Sequence, residues 1–245
     1  MSYYYNSAGQ RFLLPERPLE LPDCWGAKSE EPCEEDEMME EHDLAFDADT
    51  HTYYLDGEAV PSVTQLTGIY STYIVQEGDD LELTMAAAAE RGTILHAYLE
   101  HRLWGGVRDD FEMPDAYDGY ADGVDLFLAE HAVTPYLTET PLWGELDGVR
   151  FAGTPDFVGL FDGERSILDW KFVSQIQKTK VGAQLSGYLS LCLCGDWAMD
   201  KLYCVQFLPN RTYRLYPSGT MADSFSLCLS VWKEIHKKHP RGGIA

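Results

Sequence analysis

Residues 153–172 read GTPDFVGLFDGERSILDWKF, and the Asp162-Gly163 pair at their centre decides how the surrounding chain is laid out. Asp-Gly suits the two central positions of a type I′ hairpin turn, where both residues need positive φ. Phe161 then faces Glu164, Asp156 faces Asp169 and Thr154 faces Lys171. Directly opposed Cβ atoms lie about 4.5–5.5 Å apart. Alternation along the two strands puts Asp156, Val158, Leu160, Arg165, Ile167, Asp169 and Lys171 on one face. The other face collects Phe157, Gly159, Phe161, Leu168, Trp170 and Phe172, a core pattern broken only by Glu164 and Ser166 near the turn. On the first face Asp156, Asp169 and Lys171 converge at the end away from the turn, and only Arg165 lies elsewhere.

Two carboxylates held this close repel, which raises a pKa unless a cation sits between them. Hard oxygen ligands suit Mg²⁺ or Mn²⁺ better than Zn²⁺, which prefers nitrogen and sulfur. Lys171 is a cation beside such an ion rather than a ligand to it, placed to orient an attacking water or to stabilise developing negative charge. The competing reading is a surface Asp-Asp-Lys salt-bridge cluster of little energetic weight.

Outward from the hairpin, the chain alternates helical and extended patterns. Short strands around Asp56-Gly57 precede a helix opening near Pro61-Ser62. Asp79 or Asp80 caps a helix through LELTMAAAAERGTILHAYLEHRLWG that stops at Gly105-Gly106. A second helix runs from about Asp115 to Ala132 with Tyr117, Tyr120, Val124, Phe127 and His131 on one stripe, weakened by Gly119 and Gly123. Residues 136–172 form a strand meander with turns at Asp147-Gly148 and Asp162-Gly163. A helix over about Val181–Cys194, strands over Lys201–Leu208 and Thr212–Tyr216, and a last helix to about Lys238 complete the chain. This order predicts an α/β fold, a mixed central β-sheet flanked by helices on both faces. Residues 44–245 form the folded domain, and residues 1–43 are expected to be an acidic, flexible extension, ending in the run EEPCEEDEMMEEHD.

Gly153-Thr154-Pro155-Asp156 followed by Asp169-Trp170-Lys171 resembles the signature of the PD-(D/E)XK nuclease superfamily, with Asp in the variable position. Two further segments resemble motifs of its RecB-like and phage-exonuclease branch. Arg91-Gly92-Thr93-Ile94-Leu95-His96 looks like the helical motif whose His or Glu approaches the metal. Gln184-Leu185-Ser186-Gly187-Tyr188 matches the QxxxY motif on the helix after the catalytic strand. The resemblance spans roughly Val60 to Pro209, with the four motifs in family order. It implies a restriction-endonuclease-like core and phosphodiester hydrolysis by metal-activated water. It also implies that His96, Asp156, Asp169 and the Trp170 carbonyl ligate one or two Mg²⁺ or Mn²⁺ ions, with Lys171 assisting the water. Gln184 and Tyr188, at i and i+4 on one helix face, would orient the site or touch substrate. Glu139 falls where several relatives carry a Glu near the metal, with a surface cross-strand pair as the alternative. Arg91, Thr154, Lys178 and Lys180 are candidate substrate contacts. Glu100 reads as a solvated partner of His96.

The chain of 245 residues carries a net charge of -23, which taken alone disfavours nucleic acid and anionic membranes as partners. The charge is uneven, however. Residues 1–164 hold 36 acidic and 7 basic side chains, and residues 165–245 hold 5 acidic and 11 basic. Such asymmetry admits DNA as a partner of the second part. The basic residues there, among them Lys201, Arg211, Lys233 and Lys237, are candidates to line a phosphate path.

Six cysteines are too few for a disulfide scaffold. Cys192 and Cys194, at i and i+2, read as packed thiols rather than ligands of an iron–sulfur cluster. Cys24, Cys33 and His42 match no compact zinc motif. No run of eighteen apolar residues and no signal peptide is present, so a cytoplasmic protein without a membrane partner is expected. No ATP-binding loop motif occurs, so the expectation is a stand-alone DNA exonuclease of the phage or prophage type, working in recombination or repair with or without a partner protein. The alternatives are a structure-specific endonuclease on the same scaffold and a non-catalytic protein whose acidic segment mimics DNA.

Overall fold

A computed structural model describes residues 3–5, 11–13, 42–48, 50–71, 79–195 and 197–238. The acidic run at 30–41, Cys24, Cys33 and Arg241 lie outside the described residues. A small ribbon pairs β1 (Tyr3–Tyr5) with β2 (Arg11–Leu13). Strands β3 (Leu44–Asp47), β4 (Thr52–Leu55) and β5 (Glu58–Val60) form a second sheet, followed by the short helix α1 (Val63–Leu66). Ser62 starts that helix as expected: its hydroxyl accepts from Gln65 N–H, and the Gln65 side chain accepts from Ser62 N–H. Then come α2 (Asp79–Leu103), α3 (Asp118–Glu130), β6 (Val133–Thr138), β7 (Leu142–Leu146), β8 (Val149–Gly153), β9 (Phe157–Phe161) and β10 (Glu164–Lys171). The chain ends with α4 (Lys178–Cys194), β11 (Lys201–Leu208), β12 (Thr212–Ser218) and α5 (Ala222–Lys238).

The central sheet has the order β12-β11-β10-β9-β6, with β10 and β11 parallel and the other pairs antiparallel. It is a mixed sheet with helices on both faces, the α/β architecture expected. Asp162 and Gly163 take φ of 50° and 85°, and Phe161 faces Glu164 as the turn demands. The strands between 136 and 172 are not a simple meander, though. β7 and β8 form a ribbon outside the central sheet, with Ala152 of β8 bridged to Ser62, and β6 lies beside β9.

Both faces of the β9–β10 hairpin are core. Val158 and Ile167 pack with Leu185, Tyr188 and Leu191 of α4 and Phe225 and Leu229 of α5. Phe157, Phe161, Leu168 and Trp170 pack with Leu95, Tyr98 and Leu99 of α2 and Val124 and Phe127 of α3. Ser166, read as an interruption of the core face, is itself fully buried and bonds the Glu164 carbonyl. Phe127 sits at ring-centroid distances of 5.2–5.8 Å from Phe161, Trp170, Phe207 and Tyr213. Such aromatic pairs add about 0.5–1.5 kcal/mol each beyond burial.

Gly119 and Gly123 cost α3 intrinsic propensity but let it approach the turn after β11. A Cβ on Gly119 would lie 2.0 Å from the Pro209 carbonyl oxygen, and one on Gly123 3.0 Å from that of Thr212. Helix α4 starts three residues before the expected Val181. Its first turn, Lys178-Thr179-Lys180, is solvent-facing and carries no apolar period to read.

Candidate active site

The hairpin ladder stops at Phe157 and Leu168, one pair short of the two aspartates. Pro155 has no N–H to continue it. Instead the Asp156 carboxylate turns onto the neighbouring strand, where Oδ2 accepts from the Trp170 N–H at 2.7 Å. The other oxygen, Oδ1, lies 3.8 Å from Nδ1 of His96 on α2. His96 Nδ1 in turn bonds Glu139 Oε1 at 3.0 Å. His96, Glu139 and Asp156 therefore form one cluster, with one donor atom from each within 4.8 Å of the others. Glu139 reaches it from just past β6 with φ of 44°, away from any Asp-Gly or hairpin turn. A non-glycine residue in that region stores roughly 1 kcal/mol or more, a cost concentrated at functional sites in general.

Asp169, the other carboxylate of the expected ion site, is held by side chains of its own strand and of α4. It is fully buried, and its Oδ1 accepts from Lys171 Nζ at 2.8 Å and from Gln184 Nε2 at 3.0 Å. Lys171 Nζ also lies 2.7 Å from Oδ2, so its ammonium straddles both oxygens of the buried carboxylate. Gln184 Nε2 also donates to the Tyr188 hydroxyl at 2.9 Å, so the i and i+4 pair of α4 acts on the site through Asp169. Both residues are buried.

The electrostatics follow from placing several charges in a poorly hydrated space. Burial pushes the Asp156 carboxyl up, Glu139 pushes it further, and His96, Lys171 and the Trp170 N–H oppose them without cancelling. Burial likewise raises Asp169, which settles at about 6 despite Lys171. For His96, burial favours the neutral ring, but Asp156 and Glu139 overcome it and raise the imidazole to about 9. Burial alone would neutralise Lys171; Asp169 and Asp156 keep it charged, above its ordinary value. Burial, then the two aspartates, hold Tyr188 as a neutral phenol.

This donor set fits a hard divalent cation. An imidazole and two carboxylates already converge, a third, buried carboxylate adjoins them, and burial makes two of the acids resist ionisation. An ion held by His96 needs the imidazole neutral, so binding and proton release are linked.

The remaining candidates separate by their contacts. Arg91 Nε donates to the Phe172 carbonyl at 3.3 Å and its guanidinium lies over the Tyr120 ring, which ties α2 to the end of β10. Thr154 Oγ1 is 2.7 Å from the Tyr53 hydroxyl. Lys178 lies over the Tyr216 ring at the start of α4, with Lys180 half-buried beside it. Glu100 is not a solvated partner of His96: it accepts from Thr138 Oγ1 at 2.8 Å, bracing α2 against the residue before Glu139. Sequence reasoning also missed Gln206, buried opposite Lys171, whose Nε2 donates to the Val173 carbonyl at 2.7 Å. No spacing signal could have found it, because a glutamine in a strand has no marked partner.

Several basic residues of the suggested phosphate path are already paired. Lys201 meets Glu164, Arg211 meets Asp122, Lys237 meets Glu234, and Lys233 donates to the Asp147 carbonyl. Cys192, Cys204 and Cys228 are buried, and burial pushes the first two thiols to about 12; Cys194 is exposed. No helix among the described residues is long and apolar enough to cross a membrane.

No family model matches the chain, and neither does any curated protein sequence. Among solved structures, it is similar to a protein described as SSO0001, with 14% identity over 61% of this chain and 87% of the other, at a TM-score of 0.32. It is also similar to the alkaline exonuclease LHK-Exo from Laribacter hongkongensis, with 14% identity over 74% of this chain and 92% of the other, at a TM-score of 0.35. Likenesses of this size leave the chemistry to be argued from the residues themselves.

Proposed function

We propose that this chain is a divalent-metal-dependent nuclease that hydrolyses DNA phosphodiester bonds, in the exonuclease mode its motifs resemble. The observation that carries the reading is the convergence, from four separate elements, of His96, Glu139, Asp156 and the Asp169–Lys171 pair. A surface salt-bridge cluster would leave its carboxylates hydrated, whereas Asp169 is completely buried.

His96, Asp156 and Glu139 would hold Mg²⁺ or Mn²⁺, with Asp169 Oδ2 completing the set; the Trp170 carbonyl as a further ligand rests on the resemblance alone. A bound ion supplies a more acidic water and charge for the leaving oxygen. Lys171 holds a positive charge beside the water's path and fixes Asp169. Gln184 and Tyr188 keep the Asp169 carboxylate in one rotamer. Glu139 orients His96 through Nδ1.

The test is hydrolysis of end-labelled linear, nicked and circular DNA with Mg²⁺ or Mn²⁺, with Asp169→Ala as the control. Cutting of linear but not circular DNA, abolished in the variant, is the expected result. Cutting of circles would favour the endonuclease mode. Intact DNA in every case, or equal cutting by Asp169→Ala, overturns the proposal.

A further inference from the structure

One large aromatic side chain stands exposed just past the end of α2, the helix that carries His96. Trp104 is 61% exposed, an unfavourable place for an indole. It is not loosely held. Its Nε1–H donates at 3.0 Å to Oγ1 of the buried Thr138, whose own hydroxyl proton goes to Glu100 Oε1. Its backbone N–H bonds the Glu100 carbonyl, so it closes the last turn of α2. The next two residues lock that end: Gly105 takes φ of 85°, and a Cβ on Gly106 would lie 2.2 Å from the His101 ring. One edge of the indole is pinned, and the ring is presented to solvent on a rigid mount.

The mount is part of the site. His96, Glu100 and Trp104 are spaced four apart, one slowly drifting stripe of α2. Thr138, which holds the indole, directly precedes Glu139, which holds His96. Along the helix, Trp104 lies about 12 Å from His96. That is roughly three to four steps of a stacked strand at about 3.4 Å each.

From this we infer that Trp104 is a stacking platform for one nucleobase of the bound strand, a few nucleotides from the phosphate at the cluster. The inference rests on the nuclease reading and deepens it. Stacking on an aromatic ring accepts any base and draws no positive charge from the protein, which suits a face where Arg102 is paired with Asp125 and Arg108 with Asp118 and Asp122.

The experiment uses the full chain with Mg²⁺ and short single-stranded DNA with hydrolysis-resistant phosphorothioate linkages, carrying one 2-aminopurine moved a position at a time along the strand. The expected profile has a maximum of quenching about three to four nucleotides from the strand end. Trp104→Ala removes that maximum and weakens binding roughly ten- to hundred-fold. Trp104→Phe, which keeps a ring but loses the N–H, restores the maximum and most of the affinity; a merely structural role for the bond to Thr138 would damage both variants alike.

If labelled DNA is cut but the quenching profile is the same in Trp104→Ala, the platform is wrong and the nuclease reading stands. If the strand binds with a Trp104-dependent maximum but no DNA is cut, the nuclease reading is wrong and the platform stands by itself. If no strand binds, both are wrong. Self-association that Trp104→Ala abolishes, with a flat quenching profile, would make the ring a protein contact and overturn the inference.

Discussion

The two ends of the β9–β10 hairpin carry the same kinds of charged side chain in opposite surroundings. At the turn, Asp162 bonds His131 Nδ1 at 2.7 Å and the Ala132 N–H at 2.9 Å, and Arg165 holds Asp200 by two bonds of 2.8 Å. These groups are half-exposed, and each acid has its own donor. Burial is the largest single influence on Asp162 and raises it, but His131 and the Ala132 N–H together outweigh it and hold the carboxyl below the usual range; Arg165 does the same for Asp200. At the open end, a few residues along the same strands, burial wins instead, and Asp156 and Asp169 are pushed up. Where water supplies the remaining solvation, an ion pair is self-sufficient and worth little. Where it does not, three carboxylates share His96 and Lys171, and the site is short of positive charge.

Four changes break or sharpen that contrast. The largest effect is expected for Lys171→Ala, which removes the charge bound to Asp169: hydrolysis of linear DNA should fall on the order of 10²–10³-fold, while Arg165→Ala at the other end leaves the rate within a factor of about two, within the ±0.5 kcal/mol usual for a surface change. Comparable losses in both would mean that the two ends do not differ functionally.

Metal addition comes next. At about 100 times its Kd, Mg²⁺ or Mn²⁺ should raise stability by about 2.7 kcal/mol in thermal unfolding. Asp156→Asn should abolish this gain yet make the metal-free protein more stable, by roughly 1 kcal/mol, because it relieves the crowding of carboxylates and keeps an acceptor for the Trp170 N–H. A metal-free variant that melts lower than wild type would count against a charge-starved site.

Gln184→Leu tests support of the site from behind. It takes one donor from Asp169 and one from Tyr188, and activity should drop roughly 10- to 100-fold, as for groups that orient metal ligands. Gln184→Glu should not rescue it, since a carboxylate cannot donate.

The smallest effect is Arg165→Ala on stability, below about 1 kcal/mol at neutral pH. Here the sign is set by Asp200. Its folded pKa is depressed, so the pair's contribution is present above the unfolded value of about 4 and is lost as pH falls through the folded one. The gap between wild type and Arg165→Ala should therefore be constant from pH 7 to about 5 and close in stronger acid; a gap that widens there would show that Asp200 is not the partner that matters.

Much of the fold was legible in the sequence because it rests on short-range rules. Asp162-Gly163 dictates the turn and therefore the register of every pair above it, and the period-2 pattern sorts Val158 and Ile167 from Phe157 and Trp170. The i and i+4 spacing of Gln184 and Tyr188 correctly put them on one side of α4. Less legible was the departure of β7 and β8 from the sheet, since a hairpin reads the same whether or not its outer strand finds a neighbour. The twin cores were hidden as well: Val158 and Ile167 mark a buried face, but not that α4 and α5 cover it.

The sequence by itself determined the local parts of the site: Asp156, Asp169 and Lys171 at one end of a hairpin, and His96 on a helix. The resemblance added Glu139, near the metal or in a cross-strand surface pair. Only the tertiary structure decided the pairing. His96 meets Glu139 across 43 residues, Trp104 is pinned by Thr138 across 34, and Asp169 is held by Gln184 from the following helix. Backbone periodicity reaches only across a turn or to the next strand. Which distant side chains meet depends on how helices pack over the sheet, and the pKa shifts depend on how far that packing excludes water.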